Sequence, residues 1–483
     1  MTALPSSLVC AGCGASPDPG DPYPFRCSGR GDDVDHVVTR VLDLHAAGAA
    51  AQVAGVAAQV AGASLHDEPR PFVRYRSLLH SAHRAASAGI DDDRFVSLVA
   101  DLDRRVEAVD GNGFRVTPLR RDGVISDSLG FSGAGGVWVK DETANVAGSH
   151  KGRHLFGVLL HFAVSRIAAT GSTRPDDRPL AIASCGNAAL AAATLAAAAQ
   201  WPLRVFVPAE ADEWVVAQLH RLGATVVVCR RQPGVHGDPT VARLLAELDA
   251  GCLPFTCQGN FNGLAIEGGE TLGWELAEQL APLDRPVDHL VVQVGGGALA
   301  SSCAQGLAEA RALGMLASVP RLHAVQTAGA HPLERAFHAV RRDLGVEAES
   351  GGAGAGCRGA DRAVAAAVRH RSDYMWPWES EPHSVATGIL DDETYDWAAV
   401  VAAMLRTGGR PLVADEARLV QAHALGRHAG YPVSPTGTAG LAGVLELLGA
   451  GVVGADERVV VLFTGASHPG DPAVAAGSAP APG

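Results

Sequence analysis

From Pro118 onward the chain alternates short apolar runs with helical ones, and that alternation restricts its architecture more than any other feature. Val137–Lys140, Leu180–Ala183, Leu203–Val207, Thr225–Cys229, Leu290–Val294, His323–Gln326 and Val459–Phe463 read as strands. Helical patterns lie between them, among them Ala188–Gln200, Glu213–Leu222, Val241–Leu248, Gly268–Leu280 and Ala298–Leu313. Strands separated by helices pair in parallel through crossovers, which predicts an α/β fold. Ligands in such sheets gather beyond the carboxyl ends of the strands, so the strand-to-helix loops are where chemistry is sought.

The chain has 483 residues, 47% of them hydrophobic and 19% charged, which suits two or three domains with sizeable cores. A net charge of −13 with scattered Lys and Arg gives no basic field for nucleic acid. Met1–Leu8 lacks the basic-then-apolar order of a signal peptide, and the apolar run from Ala188 is broken by Gln200, Pro202 and Arg204. Neither a leader nor a membrane span is expected. Nine cysteines in so long a chain fit a reducing cytoplasm rather than a disulfide scaffold.

Cys10 and Cys13 form a CxxC pair followed by Cys27, half of a zinc ribbon. Ser28 and Gly29 stand where a second CxxC would be, and His36 is a further available ligand. The thiols are read as reduced and unliganded, and no metal is assigned. Val37–Ala63, rich in Ala and Val, predicts a helical hairpin or apolar-faced helices, and Asp91–Ala108 a helix ending before Gly111-Asn112-Gly113. The segment 347–359, dominated by Gly, Ala and Ser, reads as a mobile loop. The predicted organisation is a cysteine-containing segment over 1–36 and a helical extension over 37–115. A larger α/β domain follows from 116–148 and 281–475, a smaller one from 149–280, and a disordered tail over 476–483.

Four loops could carry chemistry. After the strand ending at Lys140, a polar turn with Gly148 and Ser149 feeds Lys151 into a helix start, where a buried amine has a lowered pKa and can form an imine. The competing reading is a solvated lysine. Ser184-Cys185-Gly186-Asn187 follows the strand Leu180–Ala183; its small residues admit a ligand and Asn187 can donate to an oxyanion, or the tetrapeptide is a plain helix cap. Gly295-Gly296-Gly297-Ala298 opens the helix toward Leu313, and unhindered amides there make an anion cradle. It lacks the spacing of a dinucleotide or nucleoside-triphosphate loop. Ser434-Pro435-Thr436-Gly437-Thr438 offers a hydroxyl at a tight turn, or again a cap. Taken in order, the four supply an imine-forming amine, a ring-hydroxyl donor, a phosphate cradle and a pyridine-nitrogen partner.

In that order these residues resemble the fold-type II pyridoxal-phosphate enzymes, the family of threonine synthase, serine and threonine dehydratases, cysteine synthase and the tryptophan synthase β chain. The resemblance runs from about Thr117 to Gly470 and implies two three-layer α/β domains and a homodimer. It implies Lys151 as the Schiff-base lysine and general base, and Asn187 on the ring hydroxyl. Gly295, Gly296, Gly297, Ala298 and Leu299 would hold the phosphate of pyridoxal 5′-phosphate. Thr436 would face the ring nitrogen and leave it largely unprotonated. Ser149, Ser184, Cys185 and Gly186 are the candidate substrate contacts. Glu267-Gly268 with Thr271 and Glu275 looks like the threonine synthase pattern, Ser149-His150-Lys151 like some tryptophan synthase β chains, and Ser384-Val-Ala386-Thr-Gly388-Ile389 like the ring-flanking loop of threonine dehydratases. The implied reaction is β- or γ-elimination, with or without replacement, on serine, threonine or O-phosphohomoserine. The alternatives are an amino-acid sensor that keeps the cofactor pocket without turnover, and a nucleotide-dependent enzyme using the triple glycine. Tyr374–His383, unusually aromatic and acidic, reads as a packed surface loop rather than a lid.

Overall fold

Apolar runs with no polar alternation belong to strands covered on both faces, and two parallel sheets built from such runs organise the protein. The computed structural model describes residues 5–18, 21–46, 67–231, 237–345 and 353–469. Its strands are β1 (Ser6–Cys10), β2 (Val38–Leu42), β3 (Leu119–Asp122), β4 (Gly136–Asp141), β5 (Leu180–Ala183) and β6 (Leu203–Pro208). They continue with β7 (Thr225–Cys229), β8 (Leu253–Pro254), β9 (His289–Gln293), β10 (Arg321–Thr327), β11 (Pro411–Ala414) and β12 (Arg458–Phe463). One unit, Met1–Arg30 with His36–Val116 and Asn145–Glu275, holds the β1-β2 hairpin and a four-stranded parallel sheet of order β7-β6-β5-β8. The other, Gly31–Asp35 with Thr117–Ala144 and Leu276–Gly483, holds a six-stranded sheet of order β11-β10-β9-β12-β4-β3. All its strands run parallel except the edge strand β3. Among the described residues no helix is long and apolar enough to cross a membrane.

Several expectations change. Val38–Leu42, assigned above to a helical hairpin, is a strand paired antiparallel with Ser6–Cys10. Its β-branched Val38, Thr39 and Val41 and its alternating burial suit a half-covered strand. The rest of that segment, 47–66, lies outside the described residues, as does the tail over 476–483. Of the loop expected over 347–359, residues from Ala353 on form a helix, Ala353–Ala367, because alanine's helix propensity outweighs the interspersed glycines; 346–352 lie outside the described residues. The expected domain boundaries at 148/149 and 280/281 compare with 144/145 and 275/276 in the structure, and 67–116 belongs to the first unit.

Within the first unit the helix Lys151–Thr170 is buried on all sides from Gly152 to Phe162. A second helix, Leu264–Leu280, crosses it at two glycines. A Cβ on Gly157 would lie 2.7 Å from the Gly268 Cα, and one on Gly268 only 2.2 Å from the Arg153 carbonyl oxygen. Beside the crossing Arg153 makes a bidentate pair with Glu275, Nη1–Oε1 2.6 Å and Nη2–Oε2 3.1 Å, with Thr271 Oγ1 accepting from Nη1 at 3.2 Å. Both charges are about 1% exposed or less. Removing one partner strands the other in the core, whereas removing both leaves no naked charge. Glu275→Ala is expected to cost about 3–5 kcal/mol in urea denaturation, and the Arg153→Met, Glu275→Leu double variant clearly less. Equal loss in both would show that the pair's charges are not what the crossing depends on.

His154 and His161 of this helix, and His80 against it, are buried. Burial first, then neighbouring ionisable groups (Lys151 for His154, Arg84 for His161, His161 and Arg84 for His80), push them down from 6.5, His154 and His161 to about 3 and His80 to about 2. Below pH 6.5 the unfolded chain binds protons that the folded chain does not, so their contribution to stability is complete above pH 6.5 and declines as pH falls from there toward 3. The urea midpoint should therefore drop between pH about 7.5 and about 5, before most carboxylates titrate. A midpoint unchanged over that interval would contradict neutral burial of these rings.

Candidate active site

In the first unit Asn145 opens the turn before the lysine. Its side-chain oxygen accepts from Val146 N at 2.8 Å, and Ala147 N donates to Asp110 Oδ1 at 3.0 Å. Ala147 at φ +54° and Gly148 at φ +65° are left-handed, a conformation an alanine adopts only when its surroundings hold it there. Ser149 follows in extended conformation, fully buried, with no hydrogen-bond partner for its Oγ among the described residues. Lys151 is the first residue of its helix and half-buried. The chain contains only two lysines. The other, Lys140, is fully buried and donates to Thr117 O at 2.7 Å and Gln279 Oε1 at 2.9 Å. One turn beyond Lys151, His154 Nδ1 lies 2.8 Å from Ala265 O. A carbonyl can only accept, so Nδ1 carries the proton.

The Ser184–Asn187 turn leaves β5, with Ser184 N donating to Phe206 O at 3.2 Å. Ser184, Gly186 and Asn187 are half-buried and Cys185 is exposed. Gly186 has no heavy atom within 4 Å of where a Cβ would stand, so this side of the turn is open. Asn187 starts a helix running to Ala199, which packs on the helix headed by Lys151. The two motifs thus head neighbouring helices of one unit.

In the second unit β9 runs into Gly295-Gly296-Gly297, and Ala298 and Leu299 begin a helix to Ala312. The first turn of that helix has amides with no intrahelical carbonyl to meet. Gly297 is left-handed at φ +95°, and a Cβ on Gly295 would fall 2.3 Å from Asp391 Oδ2 and 3.0 Å from the Ile389 Cα. Packing of the 389–396 segment, closed by Asp396 N donating to Gly296 O at 2.9 Å, therefore requires these glycines. Thr436, half-buried, accepts the Gly388 amide proton on Oγ1 at 3.0 Å, which places the Ser384–Ile389 loop beside it. The turn is held by Gln293, at the end of β9, whose amide donates to Gly437 O at 2.9 Å and Thr464 Oγ1 at 2.6 Å. Sequence reasoning missed Gln293, whose signal was one amide ending an apolar run. Ser434 faces inward, donating to Gly465 O at 3.2 Å.

Outside these loops, Arg335 stacks on Trp376 and Trp378 with its guanidinium carbon 4.3 and 4.5 Å from the ring centroids. The aromatic run is thus packed, as expected. The N-terminal thiols, read above as reduced and unliganded, are brought together by the fold. The β1-β2 register pairs Cys10 with Val38, carrying His36 back beside Cys10. Cys10, Cys13, Cys27 and His36 then place their ligand atoms within 4.8 Å of one another.

Over residues 112–465 the chain matches the family model described as pyridoxal-phosphate dependent enzyme. The threonine synthase of Methanosarcina acetivorans is 27% identical over 352 residues, 72% of this chain and 74% of that protein. A serine dehydratase-like protein of Rattus norvegicus is 32% identical over 230 residues, 47% of this chain and 61% of its own. Among solved structures, maize serine racemase aligns with a TM-score of 0.54 at 17% identity, covering 77% of this chain and 93% of that one. The threonine deaminase of T.th. gives 0.52 at 20%, covering 76% and 98%. These structures have the same fold-type II α/β architecture, and with the family match spanning most of its length, the chain belongs to the pyridoxal-phosphate dependent enzymes.

Proposed function

We propose that this chain is a fold-type II lyase that uses pyridoxal 5′-phosphate to eliminate a β or γ substituent from a small amino acid, with or without replacement. Serine, threonine and O-phosphohomoserine are the candidate substrates. The observation that carries the reading is Lys151: of two lysines in the chain, it alone is half-exposed, and it heads a helix beside the Ser184–Asn187 turn. The threonine synthases and the serine dehydratase-like protein among its relatives support the reaction class.

The residues fit the cofactor. Glycine amides at the head of the 298–312 helix suit a phosphate, with Ala298 and Leu299 continuing the cradle. Asn187 has an amide to donate to the ring hydroxyl. Thr436 Oγ1 accepts from Gly388 and keeps its own proton for an unprotonated ring nitrogen. Pyridoxal phosphate, when bound, would supply an electron sink for the pair left on Cα. Lys151 Nζ would hold the cofactor as an imine and, once the amino group of the incoming amino acid has displaced it, the freed amine would take the α-proton as general base. Ser149 Oγ, buried without a partner among the described residues, and the Ser184-Cys185-Gly186 turn orient the substrate. The family resemblance supports a homodimer, and the cysteine usage supports a cytoplasmic location.

Borohydride reduction of the yellow holoprotein, followed by peptide mass analysis, should find the cofactor fixed on Lys151, and Lys151→Ala should lose both the visible band and the label. A label on Lys140, or a native band persisting in Lys151→Ala, would remove the lysine assignment. Serine, threonine and O-phosphohomoserine added in turn should each be scored for a spectral shift and for released keto acid, ammonia or phosphate. A bound cofactor with no turnover of any of them would make the chain a sensor. Thr436→Val is expected to weaken cofactor binding by about 1–3 kcal/mol, roughly five- to two-hundred-fold in fluorescence titration; unchanged affinity would place Thr436 away from the ring.

A further inference from the structure

We infer that Cys10, Cys13, Cys27 and His36 form a closed, structural zinc site. The four side chains come from one short stretch that folds back on itself. Cys10 ends β1, and a turn closed by Gly14 N donating to Cys10 O at 2.9 Å, with Gly14 left-handed at φ +77°, presents Cys13. His36 lies two residues ahead of β2, next to Ala11 N donating to Val37 O at 2.8 Å. Two residues beyond Cys27 is Gly29, whose amide donates to Cys27 Sγ at 3.3 Å and whose absent Cβ would press the His36 ring at 3.3 Å.

Distances decide between a metal and a disulfide. Zinc bound by sulfur at about 2.3 Å and nitrogen at 2.0–2.1 Å gives tetrahedral edges of roughly 3.5–3.8 Å. Cys13 Sγ to Cys27 Sγ is 3.5 Å and Cys10 Sγ to His36 Nδ1 is 3.5 Å. A disulfide requires about 2.05 Å between sulfurs. Three thiols and one imidazole make a soft set that suits zinc, and four protein ligands leave no open position for water or substrate. Cys10 and Cys27 are 1% and 3% exposed, so the centre sits in the protein with only Cys13 at the surface.

The site fastens the N-terminal segment to the scaffold of the lysine helix. On β2, Arg40 pairs with Glu267 and Glu270 of the crossing helix. The Val38 carbonyl oxygen occupies the space that a Cβ on Gly263 would need. From the other side Phe25 packs edge-on against Phe162 of the lysine helix with centroids 5.2 Å apart, and His161 Nε2 meets Pro22 O at 3.2 Å.

The test uses the whole protein, refolded or expressed with zinc and kept reduced. Metal analysis should find about one zinc per chain, retained through desalting. Cobalt substituted for zinc should give intense tetrahedral bands together with thiolate charge-transfer absorption, and Cys13→Ser, altering the exposed ligand, should lower that absorption by about a third while the protein stays folded. His36→Ala should release the metal at chelator concentrations that leave the parent loaded. Zinc content near zero, iron in its place, or isolation as a metal-free Cys13–Cys27 disulfide each overturns the assignment. The cofactor band at Lys151 is read separately, so failure here leaves the lyase reading where it stood.

Discussion

The place of Lys151 depends on one helix crossing. Lys151 can stand at the head of its helix only because Gly157 and Gly268 let two backbones meet at a separation that no side chain would allow. Around that contact the chain commits charges as well as volume, with Arg153 to Glu275 on one side and Arg40 to Glu267 and Glu270 on the other. Desolvating such pairs recovers little net stability, so their effect is to fix a single arrangement of the two helices. Glu267 also accepts the His80 amide proton, which ties a third helix to the same point. The Glu-Gly-x-x-Thr-x-x-x-Glu pattern is thus spent on scaffold, and its likeness to threonine synthases informs the frame more directly than the substrate.

In the second unit the same economy appears at the triple glycine. Each residue is needed for its lack of a side chain on the protein-facing side, where Asp391, Tyr395 and Thr394 press in. The amides are then left at a helix head where the field is positive. A loop distant in sequence, 389–396, therefore shapes the triple-glycine turn, and Gln293 joins its strand to the Thr436 turn by donating to the Thr436 and Gly437 carbonyl oxygens.

Central strands could be read from sequence because burial on both faces leaves an unbroken apolar run. β5 falls on the expected residues, and β6, β9 and β12 within one; the edge strand β7, apolar through Val226–Val228, falls on them too. Edge strands without such a run could not. β3 is Leu-Arg-Arg-Asp, whose charges suit an edge and hide the strand. β1 and β2 belong to a hairpin whose partners are separated by about thirty residues of sequence, so neither the pairing nor the cysteine–histidine cluster it creates has a local signature. The four chemical loops were found because glycine, serine and lysine at strand-to-helix turns are conspicuous. The orphaned Ser149 hydroxyl and the role of Gln293 needed coordinates, since whether a polar group is satisfied is a question about neighbours.

Lys140 has a consequence outside catalysis. Cationic surface chemistry in this chain is almost wholly arginine, and the one lysine besides Lys151 is enclosed by Thr117 and Gln279. Reagents that acylate or alkylate primary amines, usually indiscriminate on a protein of this size, have a single internal address here. In the cofactor-free protein, tethering, crosslinking or dye attachment through amines would be directed to Lys151 and the amino terminus, and a ligand covering Lys151 would leave the amino terminus alone to react.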